Sequence, residues 1–366
     1  MPTLCKNTVV VAMSGGVDSS VAALLLKEQG MDVIGISMKT HEETSGGACA
    51  SSKTCCTASD LSDARRVCQI LDIPFYAVNA VDEFHDKVVT YFAKEYGQGR
   101  TPNPCVMCND HLKFGGLLKQ ARALGAYYLA TGHYAQKVRD RNGKYRLVKA
   151  KDRDKDQTYF LFGLGQEELE HTLFPLGKYT KDEVREFARS AGLATAEKPE
   201  SQEICFVPDN DYAGFIEKKM PEFRGEPGAF VTEGGEEVGG HRGIHAYTIG
   251  QRRGLGVSAG ERMYVKEIVP EENKVVLGLK DSLLKSGLTA KDVKWVNREL
   301  ASGGIEVEVK IRHRHAGVPG TLYLVDDHTV RVEFNKPEGP ITPGQAAVIY
   351  HDDEVLGGGW IEKGLS

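Results

Sequence analysis

The chain of 366 residues lacks any apolar run approaching the roughly 20 residues that a membrane-spanning helix needs. Its first seven residues also lack the apolar core of a signal peptide. These absences favour a cytoplasmic protein with no membrane partner. The composition, 41% hydrophobic and 27% charged, is typical of a globular protein with two or three domains.

Cysteine is missing from everything after Cys205, and no second Cys-x-x-Cys pair accompanies Cys105 and Cys108. A secreted disulfide scaffold would spread its cysteines along the chain, so their clustering indicates redox, metal or sulfur chemistry. A zinc site is disfavoured because the spacing of the remaining cysteines does not form the usual second pair. The cysteines that would join Cys105 and Cys108 in such a site are Cys49, Cys55 and Cys56, whereas Cys5 and Cys68 are interpreted as structural.

A large positive charge is also missing, since the net charge is −5. This argues only weakly against nucleic-acid binding, because a local basic face is sufficient. The best basic patches are Arg312-His-Arg-His315 and Gln251-Arg-Arg253. If the strand pattern before Arg312 continues, Arg312 and Arg314 lie on one face and could contact two phosphates. A solvated surface is the alternative interpretation.

The loop Ser14-Gly-Gly-Val-Asp-Ser19 follows the apolar run 8–13 and precedes helix-forming residues 20–29. A strand, a glycine turn and a helix start bind phosphate well, because free N–H groups and the helix dipole meet the anion. The loop lacks the lysine of the Walker sequence, which excludes the standard P-loop. Asp18 stands in the loop instead, where it could hold Mg²⁺ on the phosphates. An ordinary strand–helix turn is the alternative.

Strand and helix patterns alternate over the first 135 residues, which predicts an α/β domain with a doubly wound parallel sheet. Ligands of such sheets bind beyond the carboxyl ends of strands, where the 14–19 loop, Met38 and Gly132-His133 fall. A further helix is predicted from Lys181 to Ser190, with Thr180 as its cap. The predicted strands are 33–38, 73–78 and 127–131, and the predicted helices are 60–71, 83–96 and 111–124.

The second half of the chain is predicted to form β structure. Glycine and proline become frequent after about residue 210, and short strand patterns follow at 229–232 and 262–265. Alternation is clear at 305–311 and continues at 321–325, 330–334 and 346–350, which predicts a β-barrel or sandwich. We therefore expect a catalytic domain at 1–209, a small β-rich domain at 210–275 and a C-terminal β-barrel at 276–366.

A second motif, Arg100-Thr-Pro-Asn-Pro-Cys-Val-Met-Cys-Asn109, carries the Cys-x-x-Cys pair on an extended loop before a helix expected to begin near Asp110. A cysteine near a helix N-terminus has a lowered pKa and more thiolate. Cys205 follows much later, in Ile204-Cys-Phe206, where the α/β region ends.

The loop at 14–19 resembles that of the PP-loop ATP pyrophosphatases, which release pyrophosphate and transfer AMP. The ordered set of motifs is similar to the bacterial tRNA-specific 2-thiouridylase family (the MnmA family), and the resemblance runs from Val9 to Gly358. The matching stretches are the loop 14–19, Thr101–Asn109, Ala130-Thr-Gly-His-Tyr134, Lys155-Asp-Gln157, Ile204-Cys-Phe206, Gly250–Gly256 and Thr342–Ala346.

This resemblance implies thiolation of the wobble uridine, position 34, in tRNAs for Lys, Glu and Gln, with ATP and Mg²⁺ activating the uridine O2. It implies that Cys205 carries a persulfide, that Cys108 is the nucleophile that ends in a disulfide with it, and that a cysteine desulfurase or relay protein donates sulfur. The implied ATP-binding residues are Ala12, Met13, Ser14, Gly15, Gly16, Val17, Asp18, Ser19, Met38 and Gly132. The implied tRNA-binding residues are Asn103, Pro104, Cys105, His133, Lys155, Asp156, Gln157, Arg312, His313 and Gln345.

Several alternatives stay open. Cys105, Cys108 and Cys205 could together ligate a 4Fe–4S cluster with one open iron. Met38 could be core filler and His133 a structural histidine. Another ATP-dependent ligase or amidotransferase would not need the Cys108/Cys205 pair. A non-catalytic tRNA- or nucleotide-binding protein would not need the intact 14–19 loop.

Overall fold

A computed structural model describes residues 4–41, 58–200, 204–257, 261–298 and 304–366 of the chain. Cys49, Cys55 and Cys56 lie outside these ranges. The chain divides into two compact units. The first comprises Met1–Val88, Cys105–Asn210 and Asp353–Val355, and the second comprises Val89–Pro104, Asp211–Asp352 and Leu356–Ser366. The domain boundaries expected from the sequence, at 209/210 and 275/276, stay a prediction.

A parallel sheet forms the core of the first unit. Its strands and the neighbouring hairpin are β1 (Cys5–Ala12), β2 (Asp32–Lys39), β3 (Phe75–Asn79), β4 (Ala126–Ala130), β5 (Gln136–Arg139), β6 (Tyr145–Val148) and β7 (Thr172–Leu173). The parallel strands run in the order β3-β2-β1-β4-β7, while β5 and β6 pair antiparallel. The predicted α/β fold with a doubly wound parallel sheet is confirmed.

Helices connect and cover these strands. The helices along residues 17–190 are α1 (Val17–Glu28), α2 (Ala58–Ile70), α3 (Val81–Phe84), α4 (Tyr91–Gly97), α5 (Pro104–Met107), α6 (Leu118–Ala123), α7 (Gln166–Glu170) and α8 (Lys181–Ser190), with π-helical stretches at His85–Thr90 and Cys108–Leu117. Of these, α4 belongs to the second unit. Val9 and Val11 of β1 pack with Val21 of α1, Val67 of α2 and Val184 of α8 in one apolar core. Burial of these side chains holds the helices on the sheet. No helix in the described ranges is long and apolar enough to cross a membrane.

Helix α8 matches its prediction residue for residue. The Thr180 side chain accepts a hydrogen bond from the Glu183 N–H at 3.3 Å, and the Glu183 carboxylate accepts one from the Thr180 N–H at 2.6 Å. This reciprocal pair satisfies donors that the first turn leaves free. Local capping chemistry therefore determines where α8 begins.

The helix after the Cys-x-x-Cys motif begins earlier than predicted. It begins at Pro104 rather than near Asp110, so Cys105 and Cys108 lie within its first turns and not on an extended loop. Proline suits the first helical position, because its N–H would be unpaired there and its fixed φ is helical. The expectation that both prolines hold the chain extended is therefore wrong for Pro104.

The second unit contains a small mixed sheet and a closed barrel. The elements from residue 212 onwards are α9 (Tyr212–Lys219), β8 (Gly228–Thr232), β9 (Glu237–His241), β10 (Tyr264–Val269), β11 (Lys274–Gly278), β12 (Lys285–Trp295), β13 (Ile305–Lys310), β14 (Val318–Leu324), β15 (Val330–Glu338), β16 (Ala346–His351) and β17 (Glu354–Leu365). The sheet has the order β10-β11-β8-β9, and the barrel has the order β12-β15-β14-β13-β16-β17, closed by pairing of β12 with β17. The C-terminal barrel prediction is confirmed.

The basic patch at 312–315 does not continue a strand. β13 ends at Lys310, and the His315 N–H donates to the Arg312 carbonyl at 3.1 Å, which closes a turn. The expectation that Arg312 and Arg314 share a strand face is therefore wrong, although both side chains are exposed. The turn leads towards Gly317, whose φ of +108° is unfavourable for other residues.

Candidate active site

The loop at 14–19 lies at the carboxyl end of β1, between neighbours β2 and β4. Connections leave a central strand in opposite directions at such a point, and the resulting crevice is where α/β sheets bind ligands. Gly15 has a φ of +73°, and a Cβ there would collide with the Asp60 carbonyl oxygen. Gly16 caps α1, so the loop leads directly into the N–H groups of that helix's first turn.

Two serine hydroxyls brace this loop internally. The Ser19 hydroxyl accepts a hydrogen bond from the Ser14 N–H at 3.1 Å and donates to the Gly16 carbonyl at 3.2 Å. The Ser20 hydroxyl donates to the same carbonyl at 2.8 Å. Ser19 and Ser20 are buried, whereas Ser14 is exposed. The loop is therefore preorganised, with its open side at Ser14.

Gly132 follows β4, and its backbone packs closely against the same loop. A Cβ at this position would lie 2.8 Å from both the Asp18 carbonyl carbon and the Ser19 nitrogen. Glycine is therefore required for the two chain segments to approach so closely. Met38 lies near the carboxyl end of β2 and is half-buried. The ATP-binding roles of these residues stay predictions.

Asp18 projects from the first turn of α1 and already has two partners. Its carboxylate accepts from the Lys181 ammonium at 2.8 Å and 2.9 Å and from the Tyr134 hydroxyl at 2.9 Å. Burial, with the Asp18 charge second, raises the pKa of Tyr134, so its hydroxyl stays a donor. Neither partner was identified from the sequence.

Glu200 extends this cluster towards the cysteine segment. Its carboxylate accepts from Lys181 at 2.8 Å and from Lys155 at 2.8 Å. Partial burial acts to raise the pKa of Glu200, but the hydrogen bonds and charges of the two lysines outweigh it and lower this pKa to about 2. Glu200 is therefore ionised at neutral pH and bridges two cations.

The segment before Glu200 also contacts the 14–19 loop and the start of α1. The Lys198 ammonium donates to the Gly15 carbonyl at 3.0 Å and pairs with Asp60 at 2.7 Å and Asp63 at 2.6 Å. Thr195 donates to the Ser20 hydroxyl at 3.2 Å. The chain that leads to Cys205 thus contacts the loop at several points.

The three candidate cysteines differ in exposure. Cys105 is exposed, whereas Cys108 and Cys205 are half-buried. Cys205 stands in a turn closed by a hydrogen bond of 3.1 Å from the Val207 N–H to the Ile204 carbonyl. Phe206 anchors this turn through an edge-on contact with Phe84, with 5.6 Å between ring centroids. Within the described residues, no group of three or more His, Cys, Asp or Glu side chains is arranged to hold a metal.

The predicted tRNA contacts of the first unit are mostly engaged within the protein. His133 is buried against Phe114 and Phe174, its Nδ1 lies 2.8 Å from the Thr131 hydroxyl, and burial lowers its pKa well below the usual value. Asp156 is buried and accepts from the Ala150 N–H at 2.9 Å.

Gln157 and Lys155 are engaged as well. The Gln157 side chain accepts from the Tyr134 N–H at 3.0 Å, and Lys155 pairs with Glu200. These contacts give each residue of the Lys155-Asp-Gln157 motif a structural role. Their role towards tRNA stays a prediction.

In the second unit, Gln345 supports the chain just before Asn103 and Pro104. Its amide donates to the Thr101 carbonyl at 3.3 Å and to the Pro102 carbonyl at 3.0 Å. Asn103 is buried. Arg312 is exposed and His313 is half-exposed in their turn. The tRNA-binding roles of these residues also stay predictions.

Models of protein families match three consecutive stretches of the chain. The chain matches the tRNA methyl transferase HUP domain over residues 7–209, the tRNA methyl transferase PRC-barrel domain over 213–279 and the aminomethyltransferase beta-barrel domain over 285–361. A solved 4-thiouridine synthetase–RNA complex with bound ATP overlaps 59% of this chain and 51% of its own at 17% identity, with a TM-score of only 0.38.

Curated relatives match from end to end. The tRNA-specific 2-thiouridylase MnmA of Clostridium perfringens is 48% identical over 98% of this chain and 99% of its own length. The proteins of the same name from Geobacter metallireducens and Geotalea uraniireducens are 49% and 50% identical, over 100% and 99% of this chain and 100% and 96% of their own lengths. With identity of this degree across both units, the chain belongs to the tRNA-specific 2-thiouridylase MnmA family.

Proposed function

We propose that this chain is a tRNA-uridine 2-sulfurtransferase, which uses ATP to convert the wobble uridine (position 34) of tRNAs for Lys, Glu and Gln to 2-thiouridine. The observation that carries the proposal is the end-to-end similarity to 2-thiouridylases. A cytoplasmic location fits a tRNA substrate.

ATP serves to turn a poor leaving group into a good one. The uridine O2 attacks the α-phosphate, a P–O bond breaks, and pyrophosphate leaves while AMP stays on O2. The loop N–H groups and the start of α1 bind the phosphates and stabilise the developing charge. Mg²⁺ would neutralise phosphate charge when bound, and Asp18 would supply one of the one or two carboxylates that such sites use.

Sulfur then replaces the activated oxygen. The terminal sulfur of a Cys205 persulfide attacks C2, and AMP leaves with the O2 atom. The Cys108 thiolate next attacks the Cys205 sulfur, so the S–S bond breaks, the transferred sulfur stays on C2, and a Cys108–Cys205 disulfide remains. A dithiol reductant regenerates both thiols, and a cysteine desulfurase or sulfur-relay protein reloads Cys205.

The persulfide route is favoured over a cluster with Cys105, Cys108 and Cys205 as ligands. Cys105 is exposed while the other two thiols are half-buried, and in the described ranges the three do not form a ligand group. Iron analysis of anaerobically purified protein tests this choice. A colourless, iron-free enzyme with full turnover supports the persulfide route, and iron-dependent turnover overturns it.

The decisive assay incubates unmodified tRNA with ATP, Mg²⁺, the enzyme and a persulfide-generating cysteine desulfurase, and then quantifies nucleosides by mass spectrometry. We expect 2-thiouridine to form only when all components are present. Because two matching family models carry the words methyl transferase, S-adenosylmethionine is supplied in a parallel reaction. Methylated uridine in place of 2-thiouridine would contradict the proposal.

Replacing Gly132 with alanine is expected to raise the KM for ATP by up to about 100-fold, because the new Cβ would displace the backbone at Asp18 and Ser19 from catalytic geometry. The KM is measured from tRNA-dependent pyrophosphate release. Gly234→Ala is the control, since a Cβ there meets only the Thr232 hydroxyl at 3.7 Å. An unchanged KM in Gly132→Ala would remove this glycine from the ATP site.

Replacing Arg312 with alanine is expected to weaken tRNA binding and to reduce the slope of log affinity against log salt by about one, the loss of one phosphate contact. Fluorescence titrations at several salt concentrations measure this slope. Arg298→Ala, which removes the same charge from an exposed pair with Asp327, is the control. An Arg312→Ala slope equal to the wild-type value would exclude Arg312 from the phosphate contacts.

A further inference from the structure

We infer that Lys181 is the phosphate-binding lysine that the 14–19 loop lacks, and that Glu200 is the residue that positions it. This assignment rests on the proposed function, because it concerns the ATP site. The loop has no lysine of its own, yet the fold brings Lys181 across 163 positions of sequence to within 2.8 Å of the Asp18 carboxylate. The ammonium therefore lies beside the phosphate loop.

Stability alone gives little reason for a lysine at this position. Lys181 is the first residue of α8, where the positive end of the helix dipole disfavours a cation. Its side chain is only 9% exposed, so its ordering and desolvation oppose the gain from ion pairs. A lysine that its local position destabilises, but that still makes ion pairs beside a ligand crevice, is a candidate for a functional residue.

The donor count explains how an anion would be received. An ammonium has three N–H donors, and in Lys181 they are directed to both Asp18 oxygens and to Glu200. A phosphate oxygen that replaces one Asp18 oxygen would keep Lys181 satisfied and release that carboxylate oxygen for Mg²⁺. Asp18 and Lys181 would thus exchange partners when the nucleotide binds.

Glu200 is suited to hold Lys181 during this exchange. It is ionised, and Lys155 fixes it from the other side at 2.8 Å. An open cleft of about 460 Å³ gives solvent access to the cluster, and it is lined by three cations and four carboxylates: Lys155, Lys181, Arg185, Asp152, Asp154, Asp182 and Glu200. Glu200 also lies shortly before Cys205 in the sequence.

The test compares Lys181→Met, Lys181→Arg and Glu200→Gln with the wild type in two separate measurements. Calorimetry gives the Kd of ATP, and tRNA-dependent pyrophosphate release gives the rate of activation without any need for sulfur. We expect Lys181→Met to slow pyrophosphate release about 100-fold and to weaken ATP binding. Lys181→Arg should recover part of both, because it keeps the charge but not the compact shape.

Glu200→Gln should lower the rate of pyrophosphate release about tenfold, as expected when a catalytic cation is misplaced, while the Kd of ATP changes much less. A purely structural role would move neither quantity once folding is intact, which thermal unfolding checks. Lys151→Met, which removes an exposed lysine paired with Glu183, is the control.

The outcomes separate this inference from the proposed function. Unchanged Kd and pyrophosphate release in Lys181→Met overturn the assignment of Lys181, even if 2-thiouridine still forms. If Lys181→Met unfolds, Lys181→Gln removes the same charge, and unchanged Kd and pyrophosphate release in that variant overturn the assignment. A wild type that releases pyrophosphate with tRNA but forms no 2-thiouridine instead overturns the proposed sulfur transfer and leaves Lys181 in place.

Discussion

Replacing Cys205 with serine is expected to abolish 2-thiouridine formation, because an alcohol cannot carry a persulfide sulfur. Pyrophosphate release with tRNA should persist, since activation of uridine O2 needs the phosphate loop and no thiol. Both products are measured in the same reaction, 2-thiouridine by mass spectrometry and pyrophosphate by a coupled assay. Cys5→Ser, at an exposed thiol on β1, is the matched control.

Full thiolation by Cys205→Ser would remove Cys205 from the mechanism. The partner thiol is tested in one turnover of persulfide-loaded wild type without reductant. Peptide mapping should then find a Cys108–Cys205 disulfide that is absent when ATP is omitted. Turnover that leaves both thiols reduced would contradict the proposed role of Cys108.

Replacing Asp18 with asparagine is expected to slow pyrophosphate release about 100-fold or more, in line with the loss of one electrostatic contact to a transition state. Asparagine keeps the shape of the side chain but loses the charge that a metal ligand and a partner of Lys181 both require. Steady-state rates over a range of Mg²⁺ concentrations measure the effect. The 2-thiouridine yield should fall in parallel, because sulfur transfer follows activation.

Asp352→Asn is the control for this variant, since the Asp352 side chain is 93% exposed and lies far along the sequence from the 14–19 loop. The same loss of charge there should leave the rate near the wild-type value. If Asp18→Asn kept the wild-type rate and Mg²⁺ dependence, the metal role of Asp18 would be lost. The assignment of Lys181 would then depend on its own variants alone.

Elements with strong local signals were predictable from sequence. The Thr180/Glu183 capping box places the start of α8 by contacts three residues apart. The alternating residues of β13 and the apolar run of β1 report burial with the periods of a strand. Such signals need no knowledge of distant residues, and so the α/β domain and the C-terminal barrel followed from them.

The errors lie where two local signals competed. Pro104 is compatible with an extended loop and equally with the first position of a helix. In the structure it is the first residue of α5. In the sequence, apolar and polar residues alternate through Arg312, but the strand ends at Lys310 and the chain then turns. Local sequence patterns do not distinguish such alternative conformations, because packing of the whole unit decides between them.

The sequence by itself determined the functional groups available to this protein: a glycine-rich loop at 14–19 with an aspartate and no lysine, and thiols at 105, 108 and 205. Only the tertiary structure decided which charges surround that loop. Lys181, Tyr134 and Glu200 meet Asp18 or its partner from distant parts of the chain. The physical reason is that parallel strands gather their carboxyl ends at one edge, so residues far apart in sequence meet where no local pattern can report them.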